Sequence, residues 1–284
     1  MVYSIEGVKN MTFERKKYKN FALMQLNGRW KPAIIGTLIS LLIALAFTVT
    51  QKETSSISYS ELLNYDYAQL LDYYRNSSEF SAPSFILSLI QTIVGFITEI
   101  VLISFLLIFS RSPDPVSLKS YFECYNKWGR GILTGLWRWL WLFLWGLIAV
   151  PILIGLILLY TVLPVSISDS TIGALTPIVL LICLIPMFIK SIEYSFVFFF
   201  VSEFSEIGIR KALRLSITIA KGHRWNIFVL DLSFIGWFLL CAISLGIGFL
   251  WILPYYYLTL TNTYHALLQD ALESGKIKPE DLNS

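Results

Sequence analysis

A few strongly polar side chains interrupt the long apolar segments of this sequence, and chemistry inside those segments depends on them. They form a candidate intramembrane polar cluster consisting of Glu99, Lys190, Glu193, Asp231 and Asn262. Such groups either line a pathway for ions or solutes, or neutralise one another and determine how helices pack. Charges of both signs nearly balance here, and Lys190 is a natural counter-ion for the carboxylates. The packing interpretation is therefore favoured over a transport or catalytic site.

The sequence lacks the common catalytic and nucleotide-binding patterns. H-E-x-x-H, G-x-S-x-G, the P-loop and a G-x-G-x-x-G placed between a strand and a helix do not occur. Only two histidines are present, His223 and His265, and three cysteines lie far apart without metal-site spacing. We therefore expect no enzyme activity, no cofactor and no metal.

Composition indicates where these residues lie. Apolar residues make up 56% of the chain and charged residues 14%, and uncharged runs such as 32–50 approach the roughly 20 residues that cross a bilayer core. The chain is therefore predicted to be an all-α polytopic integral membrane protein, with one membrane domain over 1–284.

The apolar runs predict six transmembrane helices, at about 32–50, 83–109, 131–160, 174–201, 225–244 and 248–268. A basic lead-in, 1–31, precedes them and a tail, 269–284, follows. The run 225–268 is about twice as long as a bilayer core is thick, so it must contain two spans. Two glycines place the turn between them at 245–248.

Loop charges predict the orientation. Basic residues dominate before the first span and in 111–130 and 203–224, whereas the loop 51–82 is mainly acidic. Cytoplasmic loops are enriched in Lys and Arg, so both termini are expected in the cytoplasm. The bilayer is the expected partner, and the net charge of +3 gives no reason to expect nucleic acid.

An amphipathic helix over 206–220 is predicted to lie in the membrane surface. Its basic side chains share one face and are candidate lipid-headgroup contacts: Arg210, Lys211, Arg214 and Lys221. Binding of anionic headgroups is one interpretation, and anchoring of the topology by positive charge is the commoner one. A G-x-x-x-G at Gly131 and Gly135 fits close helix packing within one chain or between two, which leaves a homo-oligomer open.

Three span starts resemble one another. A basic, helical lead-in ends in Gly or Asn beside Trp at 26–30, 125–129 and 220–225. Glycine can end a helix in a left-handed conformation, and Trp favours the headgroup level. Repeated helical hairpins would produce this pattern, and so would the common needs of any chain that re-enters a membrane.

Several segments also resemble an uncharacterised bacterial membrane family, domain of unknown function nine-seven-five. The matching residues are Ala22, Leu26, Asn27, Gly28 and Trp30, then 185–190, Tyr194, Ser195, Ala212, Ser216, 221–225, 228–237, 246–248, Leu250, Trp251, Pro254, Tyr255 and Tyr264. Met187 stands where the family usually has glycine, and the loop after the first span is longer than usual. The resemblance implies a protein of the bacterial cytoplasmic membrane and brings no activity with it.

The leading functional prediction is a non-enzymatic membrane protein with a packing, scaffolding or envelope-maintenance role. The alternative is a small-solute or lipid transporter that uses the polar cluster, which charge alternation places in the cytoplasmic half of the bilayer.

Overall fold

The computed structural model describes residues 13–48, 82–114, 116–152, 154–155 and 169–282. Regular structure within those residues is entirely helical, which confirms the all-α prediction. In chain order the helices are α1 (Arg15–Leu26), α2 (Trp30–Thr48), α3 (Ala82–Arg111), α4 (Leu118–Glu123), α5 (Trp128–Gly146), α6 (Asp169–Glu193), α7 (Val197–Glu203), α8 (Ile209–Ala220), α9 (Arg224–Leu232), α10 (Ile235–Ile243) and α11 (Phe249–Glu273). Short 3-10 helices occupy Cys124–Lys127 and Pro279–Leu282.

Four helical stretches in the described residues are long and apolar enough to cross a membrane. They are Phe85–Arg111, Leu118–Ile152, Leu181–Glu203 and Arg224–Ile243. The pair α1 and α2, bent by 100°, makes a fifth candidate if it is counted as one span. The prediction of six spans is therefore not confirmed. The predicted sixth, α11, does not qualify by apolarity, since its second half contains Thr259, Thr261, Asn262 and Thr263.

Helix α11 lies at the centre of the bundle. It packs against α1, α2, α3, α8 and α10. From Leu258 to Leu268 every residue except His265 is buried. A helix covered by protein on all sides can carry hydroxyl and amide groups without exposing them to lipid, because neighbouring helices satisfy them.

Two predicted spans are each broken into two helices. The range 174–201 corresponds to α6 and α7, separated at 194–196, and 225–244 corresponds to α9 and α10, separated at Ser233 and Phe234. Ser216 of α8 bridges the two helix ends at the first break, because its hydroxyl donates to the Glu193 carbonyl (2.7 Å) and accepts from the Phe196 amide (3.2 Å). The predicted turn at 245–248 is present, with Leu245 at φ 53° and Gly246 at φ 86°.

The turns after α1 and α8 have the same geometry. Asn27 (φ −59°, ψ 123°) and Lys221 (φ −63°, ψ 122°) each precede a left-handed glycine, Gly28 (φ 74°) or Gly222 (φ 94°). In both turns a backbone hydrogen bond spans three residues, from Arg29 to Leu26 at 2.9 Å and from His223 to Ala220 at 3.0 Å. These are type II turns, which require positive φ at the third position. Before α5 the chain instead runs from a 3-10 helix directly into α5, so two of the three predicted repeats share the local structure.

Helix α8 differs from the predicted surface helix in what its apolar face contacts. It begins at Ile209, and Ala212, Leu213, Leu215 and Ile219 are buried within the protein core. That face therefore packs on the protein, and only the basic face is open to its surroundings. Residues 153 and 156–160 of the predicted span 131–160, the loop 51–81 and residues 1–12 of the lead-in lie outside the described residues.

Candidate functional site

Glu99 of α3 and Arg138 of α5 form a bidentate ion pair. The guanidinium donates to Glu99 Oε1 at 3.0 Å and to Oε2 at 2.8 Å. Both side chains are about three-quarters buried, with exposed fractions of 24% and 23%. The Arg138 guanidinium also lies over the Phe198 ring, 4.6 Å from its centroid. Lys190 was the predicted counter-ion of the carboxylates, but in the structure Arg138 is the counter-ion of Glu99.

Two glycines of α5 allow this approach. A β-carbon at Gly135 would overlap the Phe96 ring of α3, and one at Gly131 would overlap the Ile100 side chain. The G-x-x-x-G sequence therefore serves contact within the chain. It brings α5 close enough to α3 for Arg138 to donate hydrogen bonds to both carboxylate oxygens of Glu99.

Glu193, at the end of α6, is fully buried and has two cationic partners. The Lys190 ammonium lies 2.7 Å from its carboxylate, and the Arg224 guanidinium of α9 pairs with the other oxygen. Lys190 also lies over the Trp145 ring, at 4.9 Å. This ion triad connects α6 and α9 at the point where α6 ends, and the contact of Lys190 with Trp145 adds α5.

Asp231 and Asn262 have separate neutral partners. The Tyr256 hydroxyl donates to Asp231 Oδ1 at 3.1 Å, joining α9 to α11. The Asn262 amide donates to Gln25 Oε1 at 3.1 Å, and Gln25 donates to the Ser110 carbonyl at 3.2 Å. Three elements, α1, α3 and α11, meet at this amide chain.

The predicted cluster is thus distributed over separate sites. Among its five residues, only Lys190 and Glu193 bond to each other. Glu99, Asp231 and Asn262 each bond to a residue outside the predicted set. Among the described residues no group of His, Cys, Asp or Glu is arranged to hold a metal ion.

A cleft of about 460 Å³ lies between α2, α3 and α11, beside Glu99. One stripe of α3 forms its longest wall: Thr92, Gly95, Thr98, Glu99 and Leu102. Tyr257 and Leu253 of α11 face this stripe, and α2 contributes Ser40 and Leu41. The cleft has the size of a small-molecule site and combines apolar and hydrogen-bonding walls.

Comparison with known protein families matches residues 11–271 to a family described as "Protein of unknown function (DUF975)". The chain belongs to the DUF975 family. This confirms the resemblance seen in the sequence, and the family has no assigned activity. No curated protein matches the chain, and no solved structure matches it.

The four candidate headgroup contacts of this DUF975 chain differ in their surroundings. Arg214 and Lys221 are exposed. Arg210 is exposed too, but its guanidinium lies over the Trp137 ring at 5.0 Å. Lys211 pairs with Asp281 at 3.5 Å. Arg214 and Lys221 are therefore the two whose charges face outward.

His223, in the turn between α8 and α9, is partly buried, and its ring stacks on Phe13 at a centroid distance of 6.0 Å. Burial lowers the pKa of His223 below its ordinary 6.5, Asp270 opposes this shift, and Lys276 adds to it. The neutral imidazole is thereby favoured in the folded protein.

Several partners in the DUF975 fold were not predicted from the sequence. Arg111 at the end of α3 pairs with Glu203 at the end of α7, and Lys127 donates to the Ser202 carbonyl at 2.6 Å. Gln25 and Tyr256 complete buried hydrogen bonds. These partners lie from 25 to 237 positions apart in the chain. No local sequence pattern signals such contacts.

Proposed function

We propose that this DUF975 protein is a six-span, non-enzymatic protein of the bacterial cytoplasmic membrane with a packing, scaffolding or envelope-maintenance role. One observation carries the proposal: every charged side chain in the four candidate spans has a partner within the protein. The pairs are Glu99 with Arg138, Arg111 with Glu203, Lys119 with Glu123, Lys190 and Arg224 with Glu193, and Asp231 with Tyr256, while Lys127 and Arg130 donate to backbone carbonyls. Apart from Lys119 with Glu123 and Lys190 with Glu193, which each lie within one helix, these contacts join different segments of the fold, and this supports a structural role.

The sixth span in this proposal is α11. It has 25 residues, more than the roughly 20 that cross a bilayer core. Its polar residues, such as Asn262 and Thr263, are covered by neighbouring helices. The sharp turn at Leu245 and Gly246 returns the chain from α10 into α11. Both termini are then cytoplasmic, in agreement with the basic segments before α2 and before α9.

The proposed partner is the bilayer itself. Arg214 and Lys221 are exposed and suited to anionic headgroups. The G-x-x-x-G contact is made between α3 and α5 of one chain, so this motif supplies no argument for a homo-oligomer. Neither charge nor fold supports a nucleic-acid partner.

Charge-neutralising variants test the structural role. Glu193→Gln removes the shared partner of Lys190 and Arg224, and Asp231→Asn weakens the acceptor of Tyr256. If these groups hold the fold, both variants accumulate in membranes at lower levels than the wild type. Lys119→Gln is the control, because Lys119 is 85% exposed and should be tolerated. Normal abundance together with the phenotype of a gene deletion would contradict the proposal and favour transport or chemistry.

Sidedness of labelling tests the topology. In a variant without Cys124, Cys183 and Cys241, single cysteines are placed in 51–82 and at Ser205, and intact cells are treated with a membrane-impermeant maleimide. The first segment should react from outside and Ser205→Cys only after lysis. Reaction of both from the same side would refute the six-span arrangement.

A second function, a small-solute or lipid transporter, is favoured by the cleft beside Glu99. Transport requires that a ligand cross the membrane, whereas scaffolding does not. The purified protein in liposomes separates the two functions by the rate at which a fluorescent lipid changes leaflet. A rate equal to that of protein-free liposomes supports scaffolding over lipid transport, and a faster rate supports transport.

A further inference from the structure

Side chains in the cleft between α2, α3 and α11 already donate hydrogen bonds within the protein, and this determines which groups they can still offer to a ligand. The Thr92 hydroxyl donates to the Ser88 carbonyl at 2.8 Å. Thr98 donates to the Gly95 carbonyl at 2.9 Å and also reaches that of Val94. Threonine has one hydroxyl proton and two lone pairs, so these side chains can offer a ligand only acceptor oxygens.

Glu99 adds a third acceptor to the same stripe of α3. A carboxylate has about four lone-pair sites, and Arg138 occupies one direction on each oxygen. The remaining lone pairs can still accept hydrogen bonds. The pair is already neutral, and among the described residues no lysine or arginine lines the cleft. The described part of the cleft therefore offers no unpaired counter-charge to an anionic or a cationic ligand.

Tyr257 is the complementary group on the opposite wall. Its side chain lines the cleft, and its hydroxyl forms no hydrogen bond with any residue that the structure describes. A hydroxyl without a partner beside a cleft can donate to a ligand, so a ligand with an acceptor oxygen would be stabilised there. The cleft therefore offers several acceptors on α3 and one donor on α11.

The outer surfaces of α2 and α3 are apolar. Leu38 and Leu42 of α2 and Leu89 of α3 are between 36% and 56% exposed, and in a bilayer such faces contact lipid chains. A molecule that enters between these helices comes from the membrane and brings an apolar part with it. The volume of about 460 Å³ holds a polar group with part of one chain.

We propose that this cleft is a binding site for an uncharged, hydroxyl-bearing, single-chain amphiphile, with the chemistry of a monoacylglycerol. Its two hydroxyls donate to Thr92 and to either Glu99 or Thr98, its ester carbonyl accepts from Tyr257, and its chain lies along Leu41, Leu102 and Leu253. The proposal rests on the membrane placement proposed above but holds whether or not the ligand is transported.

Gly95 provides a direct test, because it lines the cleft and a β-carbon there meets no atom within 4 Å. In Gly95→Phe the new ring fills the cleft. Gly236→Phe is the matched control, since Gly236 of α10 is equally unobstructed but lies on an exposed helix face. Native mass spectrometry of the purified full chain in detergent measures how much monooleoylglycerol, methyl oleate, oleic acid or oleylamine is bound.

One molecule of monooleoylglycerol should bind to the wild type and to Gly236→Phe, with affinity for Gly95→Phe lower by about tenfold or more. Methyl oleate, which has the chain and ester but no hydroxyl, should bind at least about tenfold more weakly. Equal binding of methyl oleate would overturn the proposal, as would tighter binding of oleic acid or oleylamine, or an unchanged affinity of Gly95→Phe.

Thr92→Val keeps the test decisive if Gly95→Phe does not fold. Thr92 is exposed, and valine matches its shape while removing one acceptor. Monooleoylglycerol affinity should fall by about two- to tenfold, the usual contribution of one hydrogen bond, while methyl oleate binding stays the same. An unchanged monooleoylglycerol affinity counts against the site. Cysteine labelling on the same preparations shows separately whether the proposed topology holds.

Discussion

Glu99 on α3 and Arg138 on α5 join two helices through a pair of parallel hydrogen bonds, 3.0 and 2.8 Å long. A bidentate geometry restricts both the distance and the rotation of the two helices. Glu99 lines the cleft, so the same contact that holds α3 to α5 also positions one wall of the proposed ligand site.

Breaking this pair should destabilise the fold through the charge that is left behind. Glu99→Gln and Arg138→Gln should each lower the free energy of unfolding by about 2–4 kcal/mol, since a largely buried charge then lacks its partner. The double variant should lose less than the sum of the two single losses. Unfolding in mixed detergent micelles measures all three variants. Additive losses would show that the two side chains do not act as a pair.

The close contact of α5 with α3 predicts that adding a methyl group destabilises the protein at a contact glycine of α5 but not at an open one. Gly135→Ala should destabilise by about 1–3 kcal/mol, because the β-carbon would overlap the Phe96 ring. Gly129→Ala, in the same helix, meets no atom within 4 Å and should be neutral or slightly stabilising. The thermal midpoints of the two purified variants give the comparison. Equal midpoints would contradict the packing of these helices.

Because the turns after α1 and α8 have the same geometry, replacing the glycine of either turn should lower stability by a similar amount. Gly28→Ala and Gly222→Ala should each lower stability by about 1–2 kcal/mol, since alanine is strained at positive φ. A β-carbon at either glycine would meet no atom within 4 Å, so the cost comes from the backbone alone. Gly208→Ala is the control, with φ −67° and equally open space. A loss in Gly208→Ala as large as in the other two would rule out left-handed strain as the cause.

His223 should make stability depend on pH in the acidic range. Its pKa is lowered in the folded protein, mainly by burial, so the unfolded chain binds the proton more tightly. The stability that the neutral His223 side chain allows is fully present above the unfolded-state pKa of 6.5. This stability is lost as pH falls from there through the lower folded-state pKa. The thermal midpoint should therefore decrease from pH 7.5 to pH 5, and His223→Gln should decrease less. An equal decrease in both proteins would assign the pH dependence to other groups.

The sequence alone determined the features that depend on local chemistry. Apolar runs located the helices, because backbone groups in an apolar setting must be satisfied within a helix. Gly246, Gly28 and Gly222 marked turns, since positive φ is accessible to glycine at little cost. The resemblance to the family was visible for a similar reason, since the residues that carry it include these turns and polar positions beside them.

Which polar groups meet depends on contacts between helices that are distant in the chain. Lys190 was the predicted counter-ion of the carboxylates, whereas the glycine-mediated approach of α5 pairs Glu99 with Arg138. Asn262 bonds to Gln25, 237 positions away. The central position of α11 allows that helix, predicted as a span from the sequence, to carry the polar residues that keep it out of the set of helices apolar enough to cross a membrane. Hydropathy reports how much apolar surface a helix has, whereas packing determines whether lipid or another helix covers that surface.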